Sequence, residues 1–352
     1  MNESLQQDLN RFEMTEGEVE DLTSWRRHLH AHPELSNEEY ETAEYIRRRL
    51  EEFGIEQVET VADTGVVALV EGTAEGAERG PTLGWRADID ALPILEENEV
   101  DYRSNNDGVM HACGHDVHTT VGLGIARRIQ RRREELAGRV KFIFQPAEEA
   151  TPVDEPVGAE KMALAGVLEE PAVDGIFALH VMPKLAAGQI GYSGENVWAG
   201  SDLVEIEVSG KKAHGAMPHE GVDAGLVASQ IAVSLQSIVS RRVDARESAV
   251  LSIGKMEAGN SYNILPERAE MTGILRCFSV DLASQIQEEI RRMATQIARG
   301  YGASCEVSFT PGARPVKNDP ELEGRAVAAL DERFDDVAVA HPPQLAAEDF
   351  AA

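Results

Sequence analysis

Val140-Lys141-Phe142-Ile143-Phe144-Gln145-Pro146-Ala147-Glu148-Glu149 reads as a short apolar strand that stops at a proline and delivers two adjacent carboxylates into a loop. Upstream, Val66-Val67-Ala68-Leu69-Val70 and Thr82-Leu83-Gly84-Trp85-Arg86-Ala87-Asp88 are further apolar runs, and Thr119 to Glu135 reads as a helix. From Glu16 to Phe53 apolar residues recur at helical spacing, broken by His32-Pro33-Glu34-Leu35, which predicts two helices joined by a proline turn. Strands alternating with helices imply an α/β domain with a mostly parallel sheet covered on both faces. Ligands of such sheets gather beyond the carboxyl ends of the strands, where Asp88, Cys113, Glu148 and His180 are expected.

The pattern changes after Gly188-Gln189-Ile190-Gly191-Tyr192. Leu203 to Val208 alternates, Val222 to Val239 is helical, Ala249 to Ile253 and Ala269 to Cys277 alternate, Asp281 to Gly300 is a second helix, and Cys305 to Phe309 alternates again. Strand-helix-strand-strand-helix-strand is the ferredoxin-like order. The expected organisation is therefore a first catalytic segment over residues 1–191, an inserted ferredoxin-like domain over 192–309, and a second catalytic segment over 310–352.

Acidic residues outnumber basic ones 62 to 33, a formal charge of −29. That balance argues against nucleic acid and anionic membranes as partners. The acids are spread through helix-like stretches and read as a solvated surface suited to a high-salt cytoplasm. Cys113, Cys277 and Cys305 cannot build a disulfide framework, which points to a reducing compartment. Met1 to Glu20 has neither the basic start nor the apolar core of a signal peptide, and no apolar run of about 18 residues occurs, so a cytoplasmic protein is expected.

Met110-His111-Ala112-Cys113-Gly114-His115-Asp116-Val117-His118 precedes Gln145-Pro146-Ala147-Glu148-Glu149, with Gln145 30 residues after His115. A cysteine alone is more often a small buried hydrophobe, and adjacent glutamates are usually surface residues. Packing gives no reason to collect so many ligand types at one helix start. Thiolate, imidazoles and two carboxylates are what a metal-dependent hydrolase needs: one glutamate can hold metal while the other faces the attacking water as general base. A nucleophilic-cysteine hydrolase is the competing reading, but it leaves Glu148, Glu149 and His180 without work.

Trp25-Arg26-Arg27-His28-Leu29-His30-Ala31-His32-Pro33-Glu34, Arg86-Ala87-Asp88-Ile89-Asp90-Ala91-Leu92-Pro93-Ile94, His111 to Asp116, Phe144 to Glu149, Leu179-His180-Val181, Lys212-Ala213-His214-Gly215-Ala216-Met217-Pro218 and Asn263-Ile264-Leu265-Pro266 occur in that order. Together they resemble the motifs of the amidohydrolase family of hippurate hydrolase, N-acyl-amino-acid amidohydrolases and auxin-conjugate hydrolases, within the aminoacylase and carboxypeptidase group of dinuclear metallopeptidases. The resemblance implies a zinc-exopeptidase-like catalytic domain, two divalent ions (Zn, Mn, Co or Ni) and a homodimer formed through the inserted domain. It implies that Cys113 bridges the metals, that His115, Glu149 and His180 are further ligands, and that Glu148 is the general base. Asp88 resembles the carboxylate that orients a metal-binding imidazole. His214 resembles the residue that stabilises the oxyanion, and Asn263 and Arg276 those that hold the substrate carboxylate.

The family pattern continues well past a Glu-Asp-Phe motif, present here as Glu348-Asp349-Phe350, to a histidine that completes the second metal site. Here the sequence ends at Ala352, so the expectation is a C-terminally truncated member with one well-held metal and weak turnover. His28, His30 and His32 are expected to be structural, because Pro33 breaks the helix that would align them. The expected substrate is a small N-acyl or N-aroyl amino acid. The alternatives are an aminopeptidase or carboxypeptidase of the same group, and a catalytically impaired homologue.

Overall fold

A computed structural model describes residues 13–150 and 156–351; the remainder of the polar N-terminus read above lies outside them. The chain divides into two compact units. One holds the described residues up to Gly191 together with Gly324–Val339, the other Tyr192–Glu323 together with Ala340–Ala351.

In the first unit, α1 (Glu16–Ala31) begins with a capping box: the Glu18 N–H donates to the Thr15 hydroxyl, and the Thr15 N–H donates to the Glu18 carboxylate. The helix buries Trp25 and Leu29. After the Pro33 turn, Glu34 accepts the Glu41 and Thr42 N–H groups at the start of α2 (Tyr40–Glu52), whose Ala43, Ile46 and Leu50 form one buried stripe.

The sheet is formed by β1 (Gln57–Val61), β2 (Gly65–Glu71), β3 (Thr82–Asp88), β4 (Arg139–Gln145) and β5 (Gly175–Ala178), in the order β1-β2-β4-β3-β5. β4 with β3 and β3 with β5 are parallel, whereas β1 with β2 and β2 with β4 are antiparallel. The sheet is thus mixed rather than mostly parallel. Its β1–β2 connection is a tight turn in which Ala62 and Asp63 take φ of 54° and 70°, and so short a link permits only a hairpin.

Phe142 and Phe144 of β4, Val66 and Val70 of β2, and Ile46 and Leu50 pack into one core with Leu123 and Ala126 of α3 (His115–Arg131). Each such large buried side chain contributes about 1.5–3 kcal/mol. α3 begins four residues before the expected Thr119 and ends before Glu135. The polar first turn, His115-Asp116-Val117-His118, disguises a helix start because His115, Asp116 and His118 are buried for reasons other than hydrophobicity. The parallel strands β3, β4 and β5 end at Asp88, Gln145 and Ala178, so the following loops share one edge of the sheet.

The second unit contains β6 (Gly200–Ser209), α4 (Ala224–Arg242), β7 (Ala249–Ala258), β8 (Arg268–Cys277), α5 (Val280–Gly300) and β9 (Ser304–Pro311). Its antiparallel sheet runs β7-β8-β6-β9, the ferredoxin-like arrangement. Val204, Ile206 and Val208 of β6 meet Val227, Ile231 and Leu235 of α4 and Ile286 and Ile290 of α5. Asp223 and Ser279 cap the two helices through the N–H groups of Leu226 and Leu282. This unit continues past the boundary expected at residue 309, because Val316 pairs with Trp198, the Asn318 N–H donates to the Glu195 carbonyl, and the Gln344 N–H donates to Val197.

Candidate active site and metal centre

The four expected ligands come from loops or helix starts at the common sheet edge. Gly114 precedes α3 with φ +93°, a conformation that favours glycine, and so turns the chain between Cys113 and His115. His180 follows β5. Glu148 and Glu149 follow β4 through Ala147, which holds φ +54°. The buried Glu39 carboxylate accepts the Ala147 N–H at 2.8 Å and the Thr64 hydroxyl at 2.7 Å, while Asp90 accepts the Glu149 N–H at 3.0 Å. The turn that presents the glutamate pair is therefore fastened on both sides.

Candidate donor atoms of Cys113, His115 and His180 lie within 4.8 Å of one another, as do those of His115, Glu148 and Glu149. Cys113 Sγ is 3.4 Å from His180 Nε2, and His115 Nε2 is 3.9 Å from Glu149 Oε1. The His115 ring is 1% exposed, and its Nε2 has no hydrogen-bond partner although Nδ1 is 3.1 Å from Asp90 Oδ1. A buried imidazole nitrogen left over, facing a thiol, a second imidazole and a carboxylate, fits a divalent cation. His180 is oriented in the same sense: Nδ1–H donates to the Val181 carbonyl at 2.8 Å, directing Nε2 towards Cys113.

The electrostatics agree with that fit. Burial pushes the Cys113 thiol and the Glu149 carboxyl up. Burial would lower His115, but the Asp88 charge, the hydrogen bond to Asp90 and the nearby Cys113 sulfur outweigh it and push it up to about 12. Against burial, Arg86, His115 and His118 hold the Asp88 carboxyl well below its ordinary range, and His115 does the same for Asp90. The pocket favours positive charge, which a divalent cation supplies as the ligands give up protons.

Two buried aspartates lie beside His115. Asp90, rather than Asp88, bonds its Nδ1, and Asp90 also accepts from the Ser36 hydroxyl at 2.7 Å. Asp88 lies 3.8 Å from His115 Nε2 and bonds instead to His118 Nδ1 and Arg86 Nη1. The two aspartates are two residues apart in extended chain and share a face, so sequence alone could not separate them.

Asp90, His118 and Glu39 are site-supporting residues that the sequence reading did not assign. Their partners lie 25 to 108 residues away. Asp90 and Glu39 nonetheless sit inside recognisable stretches. His30 likewise reaches Asp116 at 2.7 Å and Glu96 at 3.1 Å, while His28 stacks on Tyr45 and His32 Nδ1–H donates to the His28 carbonyl. His28 and His32 thus pair with each other, while His30 turns to a separate set of carboxylates.

In the second unit, Ala213–His214 pairs with Ile264–Leu265, and the Gly215 N–H donates to the Asn263 carbonyl at 2.8 Å. His214 and Asn263 are neighbours there, and both are exposed. Arg276 lies on the face of β8 opposite the helices, half-buried, with Nη1 shielded from solvent and unpaired; burial pulls its pKa down.

Fold and site together define a metal-dependent hydrolase. Residues 84–352 match the model of peptidase family M20/M25/M40, and the chain belongs to that family. It is 44% identical over 299 residues to an N-acetylcysteine deacetylase of Bacillus subtilis (strain 168), covering 85% of this chain and 76% of that one. An N-acyl-L-amino acid amidohydrolase of Geobacillus stearothermophilus is 40% identical over 317 residues, 89% of this chain and 83% of the relative. The crystal structure of the Bacillus subtilis YXEP protein, described as a dinuclear metal binding peptidase from the M20 family, superposes with a TM-score of 0.82 at 39% identity, covering 96% and 86% of the two chains. The protein is a hydrolase of amide bonds. Among the described residues no helix is long and apolar enough to cross a membrane.

Proposed function

We propose that the protein hydrolyses the amide bond of small N-acyl or N-aroyl amino acids. The observation that carries this reading is that His115, whose Nε2 is unpaired, belongs to two groups of closely placed candidate ligand atoms, one with Cys113 and His180 and the other with Glu148 and Glu149. Cys113, His115, Glu149 and His180 would hold the divalent metal. A bound cation supplies Lewis acidity towards the acyl oxygen and makes water more acidic. Glu148 takes the proton from the attacking water and passes it to the departing amine. His214 donates to the oxyanion, and Arg276 with Asn263 binds the substrate carboxylate, for which the unpaired guanidinium nitrogen of Arg276 is suited. A nucleophilic Cys113 would leave Glu148, Glu149 and His180 without work, whereas a metal centre employs them all, which favours the ligand role.

The second unit would also join two copies. Leu226 and Val233 on the outer side of α4 are 51% and 73% exposed, and β7 is a sheet edge. Sedimentation should show a dimer.

Turnover of hippurate, acetyl amino acids and dipeptides, measured with added Mn, Co or Zn, separates the acylase from the peptidase alternative. Glu148→Gln should lower kcat about 10²–10⁴-fold while bound metal is retained. His214→Ala should lower turnover severely, again without loss of metal. Near wild-type rates in Glu148→Gln would remove the general-base assignment.

A further inference from the structure

His118 has no part in the reaction outlined above, yet it lies at the centre of the site. Its ring is 1% exposed, and its centroid is 4.6 Å from that of His180, edge-on, and 5.4 Å from that of His115. With Asp88 and His115 it forms a group whose candidate ligand atoms fall within 4.8 Å, which invites the reading that His118 itself binds metal. Its hydrogen bonds favour another role. Nδ1–H donates to Asp88 Oδ1 at 2.5 Å, and Nε2 accepts the Val181 N–H at 2.9 Å. Both ring nitrogens are committed.

We propose that His118 is a positioning residue: it grips the Val181 peptide and thereby fixes the neighbouring His180 so that His180 Nε2 faces Cys113. The chain of contacts is continuous. Gln145 Oε1 accepts from Arg86 Nε at 2.8 Å, Arg86 Nη1 donates to Asp88 Oδ2 at 2.6 Å, Asp88 holds His118, and His118 holds the Val181 N–H. On its other side the Val181 carbonyl accepts from His180 Nδ1–H. The residue after His180 is therefore held at its N–H by α3 and at its carbonyl by His180 itself. The same loop rests against the start of α3, where a Cβ added to Gly114 would come 2.4 Å from Val181 Cγ2. A metal ligand on an otherwise free loop would sample many orientations, and an outer partner that removes this freedom is worth a factor of about 10–100 in affinity.

The proposal rests on the reading of Cys113, His115 and His180 as metal ligands, and Co²⁺ tests both separately. Asn places its amide where the imidazole holds Nδ1 and can reach Asp88 but not Val181. Gln extends to the position of Nε2 and can accept the Val181 N–H. Apo-protein titrated with Co²⁺ is followed by the thiolate-to-cobalt absorption that reports Cys113, and by competition with a chelator. His118→Phe and His118→Asn should bind Co²⁺ about 10–100-fold more weakly than the wild type, with altered ligand-field bands. His118→Gln should recover most of the affinity and the wild-type spectrum. Equal affinities for the Asn and Gln variants, or a Phe variant indistinguishable from wild type, would overturn the proposal; if the Phe variant does not fold, the Asn–Gln comparison decides alone. A wild-type chain with no thiolate band would remove the metal-site reading and this proposal with it, whereas a wild-type band with unaffected variants removes only the role of His118.

Discussion

Asp88 and Asp90 show how far one residue's role depends on what folds against it. Both are buried carboxylates in the same extended stretch, but Asp90 gathers Ser36, His115 Nδ1 and the Glu149 N–H, whereas Asp88 gathers Arg86 and His118. Asp90 thus connects one imidazole ligand to the backbone of another ligand, and its loss should loosen both. Asp90→Ala is expected to weaken metal binding about 10–100-fold, read by chelator competition; affinity equal to wild type would show that His115 and Glu149 are held by other contacts. Sequence could place a carboxylate here without saying which, because the imidazoles that distinguish the two, His115 and His118, are remote in the chain. The opposite holds for Cys113 and His115, where several ligand types crowd one helix start and the local pattern is itself the signal.

At the scale of elements, helices and strands were legible wherever burial follows a simple period. β6, with Val204, Ile206 and Val208 inward, and α4, with Val227, Ile231 and Leu235 inward, display their buried faces directly in sequence. The first turn of α3 and the β1–β2 hairpin were not legible. In the former, polar residues are buried by mutual hydrogen bonds, and in the latter the direction of pairing is set by a turn of two left-handed residues. The turn between β4 and the glutamate pair belongs with these cases. Ala147 sits in a region that non-glycine residues rarely occupy, and Glu39, at the start of α2, holds its N–H from another element. Burial pushes the Glu39 carboxyl up, so its charge is a burden and its acceptor oxygens are the useful part. Glu39→Gln should therefore fold and turn over close to wild type. Glu39→Ala should lose about 1–3 kcal/mol in urea unfolding, from the Ala147 N–H and Thr64 hydroxyl left without an acceptor, and should lower kcat more than it changes KM. Equal behaviour of the two variants would mean that the turn holds itself.

On the scale of the whole molecule, the excess of 62 acidic over 33 basic residues leaves 29 negative charges that no side-chain cation can offset. Many ion pairs that do form, such as Arg132–Glu135 and Arg292–Glu289, are local and partly exposed, and contribute little each. Compact folding brings the uncompensated charges closer than they are in the unfolded chain, so their repulsion opposes the native state. Salt should relieve it: the screening length falls from about 10 Å at 0.1 M to about 3 Å at 1 M. The urea midpoint and Tm are therefore expected to rise with KCl, most steeply at low concentration and with little further gain beyond about 1 M. That curvature matters, because salts that act by exclusion from the protein surface strengthen apolar burial progressively instead of saturating. Sulfate and chloride compared at equal ionic strength below about 0.3 M should then give the same gain if screening is responsible. A midpoint unmoved by KCl, or moved only by sulfate, would show that the acidic surface is already accommodated by its spacing and that the fold has no need of a salt-rich solvent.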